Sequence, residues 1–242
     1  MRASLKTLMG LVGVDPITAE YDAILATEPT VPVMLQLASY RGQQILFQDA
    51  ACTVPVTSIG DPVGGVRRPV IDDILATQST DSARPVWHGP EVGCRFGDGT
   101  VLATDDPTGI GDASFAFSAL VDFPLEPTTA SAVVCGEFAG NPGWYFFFDN
   151  DGSVGSVVRD GSGAIVVREG SIDWRGKKNV LMESRVDRDT DTLHFEIDGI
   201  ELSSPFPAAL DPFDNWPFSL GAQPSGGRSF EGAIKYSLVS VS

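Results

Sequence analysis

The chain has 242 residues, which is long enough for one large β-sandwich with a smaller leading segment. Hydrophobic residues make up 43% of it and charged residues 20%, a composition that excludes a disordered protein. Its formal net charge of -16 disfavours nucleic acid and anionic membrane surfaces as partners, because both are bound through clustered Lys and Arg. No apolar run reaches the roughly 18 residues of a membrane-spanning helix, so we expect no membrane insertion.

Three cysteines, Cys52, Cys94 and Cys135, occur without the CxxC or Cys/His spacing that is typical of zinc sites. We expect buried, reduced thiols, as in a protein that is assembled in a cytoplasm. A Cys94–Cys135 disulfide is the pairing that the sequence leaves open.

Residues 1–85 are predicted to form an N-terminal docking and assembly segment. Apolar residues between Leu5 and Val12 suit a short helix, which Asp15-Pro16 ends or redirects, and Thr18 to Thr27 suits a second one. Neither helix is long enough to be stable alone, so the segment needs the sandwich or another subunit. Because no small-x-small cleavage site follows the first apolar run, we favour a retained segment over a signal peptide. Residues 31–60 look extended, and 61–86 are irregular.

From Trp87 onward, short strands alternate with Gly- and Asp-rich turns. The run from Ser114 to Phe123 alternates with a period of two, which places five apolar residues on one face of a strand. These residues are Phe115, Phe117, Ala119, Val121 and Phe123. Asp198-Gly199 is a tight turn between two strands, and Gly232 is predicted to permit a close backbone approach or a bulge. The spacing of strands argues for a sandwich.

Three phrases in this region together resemble a laminin-G-like domain. They are Gly143 to Val154, then Val180 to Asp187 with Leu193 to Gly199, and finally Phe218 to Ala222 with Phe230 to Ile234. The resemblance covers roughly Trp87 to Ser242. It implies an all-β fold, a two-sheet antiparallel jelly-roll sandwich of the concanavalin A-like kind over residues 86–242, preceded by a smaller extended or short-helical segment.

A second resemblance concerns the lead-in to this region. Leu46 to Gly64, followed by Ala76 to Pro85, is similar to a segment that precedes such sandwiches in bacteriophage structural proteins. Arg67 to Asp73 stands where those proteins usually have an Asp-Lys-Ser-Gly-Asn-like turn. The resemblance implies a virion component that is assembled in the host cytoplasm.

One catalytic alternative is present in the sequence. Glu196-Ile-Asp-Gly-Ile-Glu201 is similar to the E-x-D-x-x-E string of laminarinase-type glycosidases, whose two glutamates lie on one strand. Here Gly199 after Asp198 predicts a hairpin that reverses the chain between Glu196 and Glu201. We therefore expect no enzyme activity and keep a glucanase-type glycoside hydrolase as the alternative.

Calcium is the cofactor that we consider, because the resemblance to laminin-G-like sandwiches implies a rim site built from loop carboxylates. The candidate ligands are Asp149 and Asp151 in one turn and Asp187, Asp189 and Asp191 in another. The alternative is that Asp simply favours turns.

Glycan binding would use exposed aromatic rings with amides or carboxylates nearby. The candidates are Trp174 with Asp173 in one loop and Trp216 with Asn215 in another. The alternative for both tryptophans is that they cover a sheet edge.

The main functional hypothesis is a bacteriophage virion protein, either a head spike or decoration protein or a tail adhesion subunit. Residues 1–60 would contact other virion subunits, and the lectin-like sandwich would bind cell-surface carbohydrate. A trimer or a ring is expected, because virion proteins commonly form symmetric oligomers. A third hypothesis is a structural module that only joins subunits.

Overall fold

A computed structural model describes residues 15–70, 73–107, 113–127, 130–136, 143–159, 163–206, 217–222 and 228–241. Within these ranges, the elements are the helix α1 (Pro16–Leu25) and the strands β1 (Val31–Met34), β2 (Ser39–Tyr40), β3 (Gln43–Gln44), β4 (Leu46–Phe47), β5 (Gly65–Arg67), β6 (Ile74–Thr77), β7 (Val86–Trp87), β8 (Cys94–Arg95), β9 (Leu102–Pro107), β10 (Phe115–Asp122), β11 (Ser131–Cys135), β12 (Gly143–Phe148), β13 (Val154–Arg159), β14 (Ala164–Glu169), β15 (Val180–Asp187), β16 (Thr192–Ile197), β17 (Ile200–Pro205), β18 (Pro217–Leu220) and β19 (Ala233–Val241). A short 3₁₀ turn spans Asp81–Ala83.

The strands form two large antiparallel sheets. The first sheet has the order β17-β16-β15-β10-β19-β8-β7, and β1 also pairs with β19. The second sheet has the order β14-β13-β12-β11-β18-β9-β6-β5-β4, and β2 with β3 forms a separate small hairpin. The predicted all-β, two-sheet antiparallel jelly-roll sandwich is therefore confirmed. No helix in the described ranges has the length and apolar character that a bilayer crossing requires.

The side chains of β10 alternate between the core and the opposite face, as the period-two pattern predicts. The five apolar residues named above, from Phe115 to Phe123, are all buried, with at most 4% of their surface exposed. The intervening residues of β10 are only partly buried. This alternation gives the first sheet an inner face against the core and an outer face that is free to carry polar groups.

Aromatic rings from both sheets meet in the core. Phe117 of the first sheet lies 4.3 Å from Trp144 and 4.6 Å from Phe146 of the second, measured between ring centroids. Trp144 in turn packs against Phe218 at 5.8 Å. These large, fully buried rings supply much of the apolar area that holds the two sheets together.

The segment before residue 86 is part of the sandwich. Strand β1 pairs along its whole length with β19, and β4, β5 and β6 extend the second sheet beyond β9. The sandwich therefore begins well before the predicted boundary at residue 85, at Val31. The physical reason is that short strands gain stability by joining an existing sheet rather than by forming a separate unit.

Helix α1 starts where the sequence suggested that a helix stops. Asp15 is the N-cap, its Oδ2 accepts a hydrogen bond of 2.9 Å from the backbone N of Thr18, and Pro16 occupies the first turn. The helix predicted for Thr18 to Thr27 is thus present but begins earlier, at Pro16. The helix predicted between Leu5 and Val12 lies outside the described residues.

The predicted glycine positions are confirmed. Asp198 and Gly199 both have positive φ, 47° and 87°, as a tight two-residue hairpin turn requires. At Gly232 an added Cβ would lie 2.5 Å from the backbone oxygen of Asp122, so the close backbone approach predicted there is present.

The three cysteines are buried and free. Cys94 belongs to β8 of the first sheet, and Cys135 belongs to β11 of the second. The Cys94–Cys135 disulfide that the sequence left open is therefore absent from the structure.

Candidate ligand-binding groove

The outer face of the first sheet carries a row of three glutamates. In the antiparallel register, Glu183 of β15 is directly opposite Glu196 of β16, and Glu196 is directly opposite Glu201 of β17. Paired positions share a face and bring Cβ atoms to within about 5 Å of each other. The three carboxylates therefore follow one another across three neighbouring strands.

A second polar row runs beside the glutamates. Arg185 of β15 is opposite His194 of β16, and His194 is opposite Ser203 of β17. The Nδ1 atom of His194 lies 3.5 Å from Oε1 of Glu201, so the two rows are in contact and form an ion pair when the imidazole is protonated. The Arg185 guanidinium lies 3.9 Å from Asp187.

These rows line a groove of about 570 Å³ that is open to solvent on one side. Its lining residues come from α1's C-terminal side and from strands β10, β15, β16, β17 and β19: Thr27, Ala116, Phe117, Ser118, Glu183, Ser184, Arg185, His194, Glu196, Glu201, Leu238 and Ser240. The volume is within the range of about 300–1,000 Å³ that small-ligand sites occupy. The groove is therefore large enough for a short oligosaccharide.

The charge of the groove is negative, with three glutamates against Arg185 and the titratable His194. Like charges directly opposite each other on neighbouring strands destabilise a sheet. A sequence that keeps such a row on one face departs from the arrangement that stability alone would favour, as functional sites commonly do.

The groove offers hydrogen-bonding groups rather than an aromatic platform. Phe117 is 1% exposed and belongs to the core, and the remaining lining residues are polar or aliphatic. Ionised carboxylates only accept hydrogen bonds, while serine and threonine hydroxyls both donate and accept. Such a lining suits a ligand that is rich in hydroxyl or amine donors.

Trp174, the first tryptophan proposed for glycan stacking, is 2% exposed and does not present a ring face to solvent. Its Nε1 donates a hydrogen bond of 2.7 Å to Oε2 of Glu169, so it packs the loop after β14 onto the sheet. Its neighbour Asp173 binds Arg175, which holds the pKa of Asp173 down at about 2. Trp174 therefore has the alternative role of covering a sheet edge. Asn215 and Trp216 lie outside the described residues, so glycan binding by that loop stays a prediction.

The aspartates proposed as calcium ligands lie in the two predicted turns, and the side chains of three of them have local partners. Asp149 and Asp151 both bind Arg168, at 3.0 and 2.6 Å. Asp187 accepts hydrogen bonds from the backbone N of Asp189 and of Thr190. In the ranges that the structure describes, including Asp191, three or more His, Cys, Asp or Glu side chains do not converge as a metal site requires. Calcium binding stays a prediction.

The glutamates of the glucanase alternative are on two strands, not one. Glu196 is the last but one residue of β16, Glu201 is the second residue of β17, and the Asp198-Gly199 turn reverses the chain between them. The hairpin that the sequence predicted is confirmed. The one-strand arrangement of laminarinase-type enzymes is absent from residues 192–205.

Sequence reasoning missed most of this groove. Alternation does indicate that Glu183 and Arg185 share the polar face of β15, and that His194 and Glu196 share the polar face of β16. The predicted Asp198-Gly199 hairpin also places Glu196 opposite Glu201, but the sequence leaves open the register between β15 and β16 that puts Glu183 beside them.

Neither a protein-family model nor a curated protein sequence matches this chain. Among solved structures, NanB with Optactamide matches with 17% identity and a TM-score of 0.45, over 55% of this chain and 22% of NanB. The CBM40 of a Ruminococcus gnavus IT-sialidase, bound to alpha2,6 sialyllactose, matches with 16% identity and a TM-score of 0.44, over 53% and 76% of the two chains. Domains LG4-5 of the mouse laminin alpha1 chain match with 17% identity and a TM-score of 0.41, over 54% and 36%. This chain thus spans about a fifth of the length of NanB.

Proposed function

We propose that this chain binds carbohydrate non-covalently in the groove on the outer face of the first sheet. The observation that carries the proposal is the row of Glu183, Glu196 and Glu201 along a groove that also contains serine and threonine hydroxyls. Carboxylates that are fixed by a rigid sheet can accept hydrogen bonds from several sugar hydroxyls at once, at little entropic cost to the protein.

The charge of the groove narrows the choice of sugar. With three carboxylates against Arg185 and His194, an anionic sugar would meet like charges, which costs affinity and suppresses wrong partners. We therefore propose neutral or amino-substituted glycans as ligands. Sialylated glycans, which the sialidase-associated CBM40 binds in its solved structure, are the wrong class for this groove.

Glycan binding is tested by measuring affinity for a panel of neutral, amino-substituted and sialylated polysaccharides. Glu196→Gln is expected to weaken binding at least about tenfold, because a hydrogen bond to a charged group contributes about 1.5–3 kcal/mol. Glu91→Gln, an exposed carboxylate outside the groove, is the matched control and should bind like the wild type. Equal affinity of both variants, or preference for sialylated chains, would contradict the proposal.

The finer proposal is that this sandwich is a virion subunit that displays the groove to the host surface. It rests on the resemblance of residues 46–64 and 76–85 to segments of bacteriophage structural proteins, and calcium binding and a symmetric oligomer belong to the same proposal. Because residues 31–77 contribute strands to both sheets, we propose that the chain before Val31 and the sheet edges contact the other subunits.

Mass spectrometry of purified virions should detect the chain, and cross-linking should place residues 1–30 against another subunit. Absence of the chain from the purified virions would rule out the proposal that it is a virion subunit.

A further inference from the structure

A lysine is buried where three strands of the first sheet end. Lys235 of β19 is 3% exposed, and its register on β10 passes from Val121↔Ile234 to Leu120↔Tyr236, so Lys235 is the extra residue of a β-bulge. Bulges turn a side chain away from the regular alternation and often occur beside active sites. Here the bulge directs the lysine toward the ends of β10 and β15.

The Lys235 ammonium nitrogen contacts two side chains, one from each of these strands. Nζ donates a close hydrogen bond to Oδ1 of Asn179, which directly precedes β15. Nζ also lies 3.5 Å from Oδ1 of Asp122, the last residue of β10, whose side chain is 13% exposed. The Oδ1 atom of Asp122 accepts a hydrogen bond of 2.8 Å from the backbone N of Asn179. We call these three residues the Lys235 triad.

The surroundings of the triad favour a reaction between its side chains over a simple ion pair. Asn179 is held at a φ of 56°, so its side chain is fixed beside the lysine by an uncommon backbone conformation. Glu20 of α1 also faces Lys235; burial raises the pKa of this carboxyl and the lysine lowers it, with the pKa raised overall. The three groups that amide exchange needs are a buried amine, a carboxamide in contact with it and a carboxylate beside both, and here the carboxylate contacts the amine and the backbone N of the asparagine.

We infer that Lys235 and Asn179 form an intramolecular isopeptide bond, with Asp122 as the group that transfers protons. Asp122 takes a proton from the Lys235 ammonium and leaves a neutral amine, which attacks Cγ of Asn179. Asp122 then delivers this proton to the amide nitrogen, the Cγ–N bond of asparagine breaks, and ammonia leaves. The extra proton on the attacking nitrogen passes to Asp122 and from there to the ammonia, so that ammonium is released and a new Nζ–Cγ amide bond remains. Atoms and charge balance without an oxidant or a further reactant.

The geometry meets two requirements of this reaction, which are contact between the reacting groups and a path to solvent for the leaving group. Contact between the amine and the carboxamide within a rigid sheet makes the attack effectively unimolecular. Asn179 itself is exposed just before β15, so the released ammonium can reach solvent. The bond would tie β15 to β19 across β10 and close a covalent loop from residue 179 to 235, which restricts the unfolded chain as a disulfide does.

The test is the intact mass of the purified wild-type chain after denaturation, followed by a tryptic digest. The expected mass is lower than that of the sequence by one ammonia. Trypsin should fail to cleave after Lys235, so that residues 229–242 are recovered covalently joined to residues 179–185. An intact mass equal to that of the sequence would overturn the inference. Loss of ammonia together with a free 229–235 peptide would overturn it too, because a cyclic imide at Asn179 also releases ammonia.

Variants assign the roles within the triad. Lys235→Arg and Asn179→Ala should abolish the mass loss, and Asp122→Asn should abolish or greatly slow it. Lys178→Arg, which changes an exposed lysine next to Asn179, is the matched control and should retain the branched peptide. A branched peptide that persists in Asp122→Asn at the wild-type rate would overturn the role of Asp122. The wild-type measurement decides the existence of the bond even where a variant fails to fold.

Discussion

At the scale of single residues, Gly232 marks a point where the structure has no space for a side chain. An added Cβ would lie 2.3 Å from Cζ of the buried Phe230 and 2.5 Å from the backbone oxygen of Asp122. The ring is packed in the core and the carbonyl belongs to β10, so neither neighbour moves easily. The sequence predicted this close approach from the position of the glycine before the last strand.

We therefore expect Gly232→Ala to lower the free energy of unfolding by about 1–3 kcal/mol, the usual cost of overpacking. Gly97→Ala is the control, because a Cβ there meets nothing within 4 Å and φ is not in the left-handed region. Urea denaturation of both variants gives the comparison. Coinciding midpoints for the two variants would show that the close approach has no energetic consequence.

At the scale of elements, the end of β14 holds the following loop through one carboxylate. Glu169 is buried, and it accepts hydrogen bonds from the backbone N of Ser171 at 2.9 Å and from Nε1 of Trp174 at 2.7 Å. Desolvation raises the pKa of Glu169, but the hydrogen bonds from Ser171 and Trp174 outweigh it, and the pKa lies below its ordinary value. The loop thus depends on the charged form of this side chain.

The sign of the pH dependence follows from the lowered pKa. The stabilisation by Glu169 is fully present above the pKa of the unfolded chain, about 4.3, and is lost as the pH falls through the lower pKa of the folded chain. Glu169→Gln should therefore have a flatter stability profile than the wild type below pH 4.3 or so. Urea midpoints measured from pH 7 downward test this, with the exposed Glu91→Gln as control. Parallel profiles for the wild type and Glu169→Gln would contradict the assignment.

At the scale of the whole molecule, the first third of the chain completes both sheets. Strand β19 is paired on one side with β10 and on the other with β1 and β8, and β9 is paired with β18 and β6. Removing residues before 86 would open the edge of β19 that β1 covers, from Tyr236 to Val239, and would remove buried side chains such as Val33 and Leu46 from the core. Unpaired strand edges promote association with other chains.

We expect a fragment of residues 86–242, the predicted sandwich domain, to lack a cooperative unfolding transition or to aggregate. A fragment of residues 15–242, which keeps every described strand, should unfold cooperatively. Circular dichroism during urea denaturation, with size-exclusion chromatography, distinguishes the two results. If the 86–242 fragment unfolded cooperatively at the same urea concentration as the 15–242 fragment, the sandwich would be an independent domain that begins at residue 86, as the sequence predicted.

The sequence by itself determined the fold class, the inner face of β10 and the Asp198-Gly199 hairpin. These depend on period-two alternation and on turn residues, which are local properties of a few consecutive positions. Only the tertiary structure decided that Glu183, Glu196 and Glu201 form one row, that residues 31–77 join both sheets, and that Lys235 meets Asn179. The row depends on the register between β15 and β16, which the Asp198-Gly199 hairpin does not set, and the other two depend on the pairing of strands that are distant in the chain. Local patterns leave these registers open because many pairings satisfy the same alternation.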